Sequence, residues 1–155
     1  MNKRYVSWDT VNGQVKRLVT AVHNSEWKPD LIVGVVRGGT IPAVWMSNIT
    51  GIEAQMITVS FRDNKINNPY LPVPFLKKIS HPDFKTLIVD DINDTGETLI
   101  WIQSKIREYS LDAGKQVRYA CLMDNAPSMF KDLDYYAEKI NKDIDPEWIV
   151  FPWEK

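Results

Sequence analysis

Short apolar runs alternate along this chain with segments that carry a helical repeat of apolar residues. The strand-like runs are DLIVGVV (30–36), AQMITVSF (54–61), TLIVDDI (86–92), QVRYACLMD (116–124) and DYYAEKI (134–140). Helical repeats lie before the first run, over 40–50, and after the third run, where they place on one stripe Leu99, Ile102, Ile106 and Tyr109. Apolar strands separated by helices are typical of a parallel sheet covered on both faces. We therefore predict an α/β fold with a parallel sheet of about five strands flanked by helices.

The composition is that of one globular domain. A chain of 155 residues can bury one continuous core but is too short for two full domains. Its 19 basic and 20 acidic residues leave a net charge of -1, which argues against a basic surface for nucleic acid. No segment has the roughly 18 apolar residues of a membrane span. We predict a single domain over 1–155, no nucleic-acid or membrane partner, and a cytoplasmic location.

A proline-rich segment separates the second and third strands. Residues 62–84 contain Pro69, Pro72, Pro74 and Pro82, which exclude regular helix over most of the segment. A connection of this length in a compact domain is a functional lid, a disordered segment or a tolerated surface loop. The residues alone leave these alternatives open.

The stretch LIVDDINDTGETL, residues 87–99, runs an apolar strand directly into three aspartates. In a parallel α/β sheet, ligands bind beyond the carboxyl ends of the strands, where Asp90, Asp91 and Asp94 would emerge. Adjacent carboxylates repel each other, so a site that holds them requires a cation, ligand hydroxyl groups or both. The following Thr-Gly-Glu-Thr lies where a helix begins, and backbone N–H groups there suit a phosphate. The segment therefore predicts a site for a sugar phosphate.

A simpler interpretation accounts for these residues one at a time. Asp94 or Thr95 could cap the helix, and the other acidic side chains could be solvated. A phosphoacceptor domain similar to bacterial receivers also places two aspartates after a strand, but there they follow the first strand and here the third. The sugar-phosphate interpretation is favoured because it explains the apolar strand, the acidic pair and the helix start together.

The same stretch resembles the signature of type I phosphoribosyltransferases, which bind 5-phosphoribosyl-1-pyrophosphate (PRPP). VGVVRGG (33–39) is similar to the pyrophosphate loop of that family, and residues 62–84 lie where the family has its flexible catalytic loop. DPEWIVFPWE (145–154) resembles the C-terminal base-binding hood of bacterial xanthine-guanine phosphoribosyltransferases. The resemblance implies the type I fold with a hood over 126–155, and it is greatest to the 6-oxopurine (xanthine-guanine or hypoxanthine) enzymes.

The resemblance also implies an activity. A purine nitrogen would displace pyrophosphate from C1′ of PRPP in the presence of Mg²⁺, giving a nucleoside 5′-monophosphate for purine salvage. Guanine, xanthine or hypoxanthine is the favoured base, and adenine stays open. The family commonly forms dimers or tetramers, so a homo-oligomer is implied. A nucleotide-sensing regulator on the same fold is the alternative function, although the near-neutral charge provides no basic surface for it.

Residue roles follow from the same resemblance. Asp90 and Asp91 would face ribose hydroxyls that share Mg²⁺ with pyrophosphate, largely through water, and Asp94 would exchange a proton with purine N7. Arg37 would stabilise the leaving pyrophosphate, and the peptide bond before it would be cis or strained, as in several purine members. The residues implied for the 5′-phosphate are Asp94, Thr95, Gly96, Glu97 and Thr98, and those for pyrophosphate are Val36, Arg37, Gly38 and Gly39.

The base-binding residues are implied by the hood and by the end of the fourth strand. Trp148 and Ile149 match hood residues that stack on the purine and present backbone groups to its edge. The 6-oxopurine enzymes carry at the end of the fourth strand a lysine that donates to purine O6. Asn125 falls at this position, and its amide can donate to an oxo group or accept from an amino group. The preferred base is therefore open.

Overall fold

The computed structural model of the chain describes residues 1–59, 71–110 and 112–154. In chain order the strands and α-helices of these ranges are β1 (Asn2–Tyr5), α1 (Trp8–Asn24), β2 (Leu31–Val36), α2 (Thr40–Thr50), β3 (Ala54–Thr58), α3 (Val73–Ile79), β4 (Thr86–Asn93), α4 (Glu97–Tyr109), β5 (Val117–Asn125), β6 (Tyr135–Ile140) and β7 (Glu147–Val150). Short 3₁₀ helices cover Ala113–Gln116 and Pro152–Glu154.

One parallel sheet contains five of the strands, in the order β3, β2, β4, β5 and β6. The chain runs from β2 outward to β3 and then returns to the other side of β2 for β4. Leu31 pairs with Thr86 and Gly34 with Val89, so β2 and β4 are direct neighbours. The turns that leave these two strands therefore begin next to each other, in the crevice where open α/β sheets bind ligands.

The sheet is buried on both faces because its strands alternate their side chains between two cores. Leu87 and Val89 belong to the core that contains residues of α1 and α2, whereas Ile88 belongs to the core that contains residues of α3 and α4. Each fully buried aliphatic side chain contributes about 1.5–3 kcal/mol relative to exposure. The predicted α/β fold with a five-stranded parallel sheet is confirmed.

The proline-rich segment contains a helix that the sequence analysis does not predict. Helix α3 has Pro72 as its N-cap and Pro74 in its first turn, where a backbone N–H has no partner within the helix and proline is tolerated. Phe75 and Ile79, one turn apart, are buried against the sheet and hold the helix in place. The exclusion of helix was therefore wrong for 73–79. The part of the predicted catalytic loop over 62–70 lies outside the described residues, as do positions 60 and 61 of the predicted second strand.

A separate two-stranded sheet joins the two ends of the chain. β1 pairs in parallel with β7, with Lys3 opposite Trp148 and Tyr5 opposite Val150. Val6 continues the pairing by donating its backbone N–H to the Val150 carbonyl at 2.9 Å. This small sheet, which the sequence analysis does not predict, fixes the C-terminal segment around β7 against the N-terminal segment.

Two further features concern membranes and the single cysteine. Within the described ranges, every helix is too short or too polar to cross a bilayer. Cys121 is fully buried on β5, and this burial raises the pKa of its thiol well above the usual value. A buried, protonated thiol is chemically inert, so Cys121 is a core residue.

Candidate active site

A cavity of about 660 Å³ opens at the carboxyl edge of the five-stranded sheet. Its walls come from the turn after β2, the end of β4 with the loop that follows, and the C-terminal segment around β7. The volume is in the range of small-molecule sites. The predicted site residues that line it are Val36, Arg37, Gly38, Asp90, Asp91, Asp94, Thr95, Gly96, Glu97, Thr98, Trp148 and Ile149.

The acidic pair Asp90 and Asp91 lies at the end of β4. Asp91 is 8% exposed, and Asp90 is intermediate in burial. Asp90 Oδ1 accepts a hydrogen bond from the backbone N–H of Asp91 at 2.9 Å, and Asp91 Oδ1 accepts from that of Ile92 at 2.8 Å. Gly38 packs so closely against Asp91 that a Cβ at position 38 would overlap its carboxylate. The Asp91 carboxylate thus lies directly beside the turn after β2.

The donor set of this pair fits Mg²⁺ when a ligand completes the coordination. Among the described residues, no cluster of three or more His, Cys, Asp or Glu side chains is arranged for a metal. Mg²⁺ prefers oxygen ligands and is usually held by one or two carboxylates together with waters and substrate phosphates. Asp90 and Asp91 supply carboxylate oxygens at the wall of an open cavity, which matches that pattern.

The loop after β4 leads into the N-terminus of α4 at the cavity wall. Gly96 is the N-cap residue and has a φ of 91°, a left-handed conformation that favours glycine. The first N–H groups of a helix have no partner within it, and together with the helix dipole they attract anions. Glu97, in the first turn, is exposed to solvent. The segment from Asp94 to Thr98, called here the phosphate loop, ends in the first turn of α4 and therefore has the features of an anion site.

Contacts from the connection after β5 support the phosphate loop from behind. Ser128 Oγ donates to Asn93 Oδ1 at 2.7 Å, and Met129 N donates to the Thr95 carbonyl at 2.9 Å. A Cβ on Gly96 would lie 2.7 Å from Ser128 Oγ, so the two segments are in close contact. Sequence patterns do not mark Asn93 or Ser128, because their role depends on contacts between distant segments.

The turn after β2 brings one cation to the cavity. Arg37 is exposed and lines the cavity wall. The peptide bond between Val36 and Arg37 is cis, which confirms the expectation for this bond. Gly39, also predicted for this turn, is buried and lies outside the described cavity lining. It precedes α2, and its backbone N–H donates to the Val35 carbonyl at 2.8 Å.

The C-terminal segment carries the residues predicted to contact a base. Trp148 lines the cavity with 49% of its surface exposed, whereas Ile149 is only 7% exposed. Beyond β7, the rings of Phe151 and Trp153 stack with 4.9 Å between centroids and an interplanar angle of 4°. A half-exposed indole on a well-packed segment offers a rigid face for a planar ligand.

A lysine that the sequence analysis does not single out reaches the cavity from the connection between β6 and β7. Lys142 Nζ lies 2.7 Å from Asp94 Oδ2 and 5.7 Å from the centroid of the Trp148 ring. Asn125 forms hydrogen bonds with both Asp94 and Lys142. Its Nδ2 donates to Asp94 Oδ1 at 3.2 Å, and its Oδ1 accepts from the backbone N–H of Lys142 at 3.0 Å.

This network changes the interpretation of Asn125. The residue is 6% exposed and, within the described chain, lies outside the cavity lining, and its side chain contacts Asp94 and Lys142. A contact of Asn125 with a base stays a prediction. Lys142 lies in the polar segment NKDIDP, which carries no helical or strand periodicity.

Comparison with known proteins identifies the family. The phosphoribosyl transferase domain family matches residues 3–154, and the chain belongs to this family. A xanthine-guanine phosphoribosyltransferase from Chromohalobacter salexigens is 28% identical over 149 residues, covering 96% of this chain and 82% of the relative. The same kind of enzyme from Cereibacter sphaeroides is 27% identical over 157 residues, covering 97% of this chain and 86% of the relative.

A solved structure of similar shape is that of a purine phosphoribosyltransferase from Pyrococcus horikoshii. It has a TM-score of 0.78 and 33% sequence identity, and the match covers 100% of this chain and 95% of that one. The predicted family, and with it the predicted enzyme class of phosphoribosyltransferase, are confirmed.

Proposed function

We propose that the chain is a purine phosphoribosyltransferase, which transfers the 5-phosphoribosyl group of PRPP to a purine base in purine salvage. One observation carries the proposal: a single cavity joins the acidic pair, the phosphate loop and the half-exposed Trp148. These features suit, in that order, the ribose hydroxyls, the 5′-phosphate and a planar base. The names of the relatives, which are xanthine-guanine and purine phosphoribosyltransferases, support a purine as the base.

The proposed reaction exchanges one bond at C1′ of PRPP for another. The bond from C1′ to the pyrophosphate oxygen breaks, the oxygen keeps the electron pair, and purine N9 forms the new bond to C1′. Positive charge develops on the ribose ring in the transition state, and the carboxylates of Asp90 and Asp91 favour it. Arg37 pairs with the departing pyrophosphate. Asp94 accepts the proton that the purine loses from N7.

The acidic pair would also hold Mg²⁺, largely through water and the ribose hydroxyls. The ion would supply positive charge that stabilises pyrophosphate as a leaving group. Asp90 and Asp91 keep their positions through the backbone hydrogen bonds at 2.9 and 2.8 Å, so the carboxylates are oriented before substrate binds. We expect such preorganisation to limit the reorganisation needed during the reaction.

A direct assay tests the proposal. The purified protein is incubated with PRPP, Mg²⁺ and guanine, xanthine, hypoxanthine or adenine, with uracil as the pyrimidine control. We expect at least one purine to yield its nucleoside 5′-monophosphate and pyrophosphate in equal amounts, and uracil to yield neither. Removal of Mg²⁺ with a chelator should stop the reaction, and added Mg²⁺ should restore it. Failure to form a nucleotide from every purine would contradict the proposal.

Trp148→Ala should raise KM for the base about 10- to 100-fold, because stacking of a base on an aromatic ring contributes about 1–3 kcal/mol. KM for PRPP should change little, since the phosphate loop and acidic pair are retained. Steady-state kinetics with each substrate varied in turn measures both constants. Tyr136→Ala is the matched control, because Tyr136 is also a half-exposed aromatic residue but lies outside the described lining of the cavity. Equal effects of the two substitutions on KM for the base would refute stacking on Trp148.

A further inference from the structure

We infer that Lys142 selects the purine: its ammonium group donates to an oxo group at position 6 and thereby favours 6-oxopurines over adenine. This inference rests on the proposed function. The cation that contacts the base then comes from the connection between β6 and β7. The end of β5 carries Asn125 and no lysine.

A hydrogen-bond donor, Lys142, lies beside an acceptor, Asp94, at the cavity wall. Lys142 Nζ lies 2.7 Å from Asp94 Oδ2, and both residues line the cavity with Trp148. The exposed fractions of the two side chains are 20% for Lys142 and 37% for Asp94. Partial burial strengthens hydrogen bonds from such groups to a ligand. A ligand edge with an acceptor next to a donor is therefore complementary to this pair.

A 6-oxopurine has such an edge. Its O6 accepts hydrogen bonds, and the neighbouring N7 carries the proton that the reaction removes. Adenine presents an amino group, a donor, at the same position. An ammonium group has three donors and no acceptor. Lys142 therefore pairs with O6, whereas the adenine amino group would face a positive charge without a partner.

Asn125 holds Lys142 and Asp94 in place. Its amide nitrogen is 3.2 Å from Asp94 Oδ1, and its amide oxygen is 3.0 Å from the backbone nitrogen of Lys142. Both ends of the amide are thus engaged by the protein. Asn125 is a positioning residue, which anchors the start of the connection between β6 and β7 to the phosphate loop.

The test compares hypoxanthine with adenine, and the nucleotide IMP with AMP. The two bases differ only in the group at position 6 and in the proton on the adjoining N1. The Kd of IMP and AMP is measured by calorimetry, and kcat/KM for the two bases is measured with PRPP. We expect the wild-type protein to favour IMP, and Lys142→Met to weaken IMP binding about 100-fold, the effect of a lost charge-assisted hydrogen bond. The Kd of AMP should change less than about threefold, because adenine makes no bond with the lysine.

Lys139→Met is the matched control. Lys139 Nζ also lies near a carboxylate and an aromatic ring, 3.5 Å from Asp124 Oδ2 and 5.4 Å from the Tyr136 centroid, but it is outside the described cavity lining. The Lys139→Met protein should bind IMP and AMP with the Kd values of the wild type. If Lys142→Met does not fold, Lys142→Gln replaces it in the test. A glutamine amide can donate to the oxo group of IMP or accept from the amino group of AMP, so the difference in Kd between the two nucleotides should become smaller.

The outcomes separate the inference from the proposed function. If Lys142→Met or Lys142→Gln retains the wild-type preference, or loses IMP and AMP affinity equally, Lys142 does not read the base and the inference is overturned. If the wild-type protein converts no purine to a nucleotide, the proposed function itself fails. The inference is supported if the Lys142 variants lose affinity for IMP and kcat/KM for hypoxanthine selectively, while Lys139→Met keeps the wild-type values.

Discussion

Turnover should fall about a thousandfold or more when Asp90→Asn and Asp91→Asn are combined, while the protein stays folded. The loss is large because preorganised charges at the developing transition state contribute more than most other single features of an active site. The fold should survive, since an asparagine oxygen can accept the backbone hydrogen bonds that Asp90 Oδ1 and Asp91 Oδ1 now accept. Removing two adjacent like charges should leave the melting temperature unchanged or higher.

The measurements are pyrophosphate release and thermal melting of the double variant. Asp30→Asn is the matched control, because the Asp30 carboxylate also accepts a backbone hydrogen bond, from Lys85 N at 2.8 Å, but precedes β2 at the opposite edge of the sheet. The control should retain wild-type turnover. Undiminished pyrophosphate release by the double variant would remove the acidic pair from the mechanism.

The three inner strands of the central sheet, β2, β4 and β5, could be predicted from the sequence because most of their residues are buried on both faces. The runs LIVGVV (31–36) and LIV (87–89) are apolar without interruption, and the predicted limits of the third and fourth strands differ from β4 and β5 by one residue. Burial against helices on both sides leaves little freedom in the choice of residues. Local composition therefore carried most of the information about this part of the fold.

The small sheet of β1 and β7 could not be predicted in this way. β1 is the sequence NKRY, whose side chains are mostly exposed, and it shows no apolar alternation. Its partner lies at the other end of the chain, so the pairing depends on how the whole domain closes. Helix α3 was missed for a different reason. The number of prolines in the segment argued against a helix, although prolines are compatible with the N-cap and first turn, where Pro72 and Pro74 lie.

The candidate site shows the same division between local and long-range information. Asp90, Asp91 and the phosphate loop lie in one continuous stretch, so their proximity followed from the motif. Lys142 and Asn125 approach Asp94 from two other segments, and their contacts arise only when β4, β5 and β6 are assembled. The asparagine at position 125 left the preferred base open, and only the fold shows that Lys142 lies beside Asp94.

Gly39→Ala should lower the free energy of unfolding by about 3 kcal/mol, the upper part of the range for overpacking a buried site. The backbone at Gly39 has a φ of -73°, which alanine adopts without strain, so the effect should come from space alone. A Cβ there would overlap the Val89 carbonyl oxygen and lie 2.7 Å from Val35 N. These are backbone atoms of the two central strands and cannot move independently. Melting temperature should fall by about 6–12 °C for a domain of this size.

Two other glycines separate the steric effect from the effect of backbone conformation. Gly13 lies in α1 with open space around its missing side chain, so Gly13→Ala should stabilise the protein by about 0.5–1 kcal/mol. Gly51 also has open space but a φ of 74°, so Gly51→Ala should cost about 1–2 kcal/mol through strain alone. Melting temperatures should therefore decrease in the order Gly13→Ala, wild type, Gly51→Ala, Gly39→Ala. A Gly39→Ala protein as stable as Gly51→Ala would show that β2 and β4 can separate to admit a methyl group.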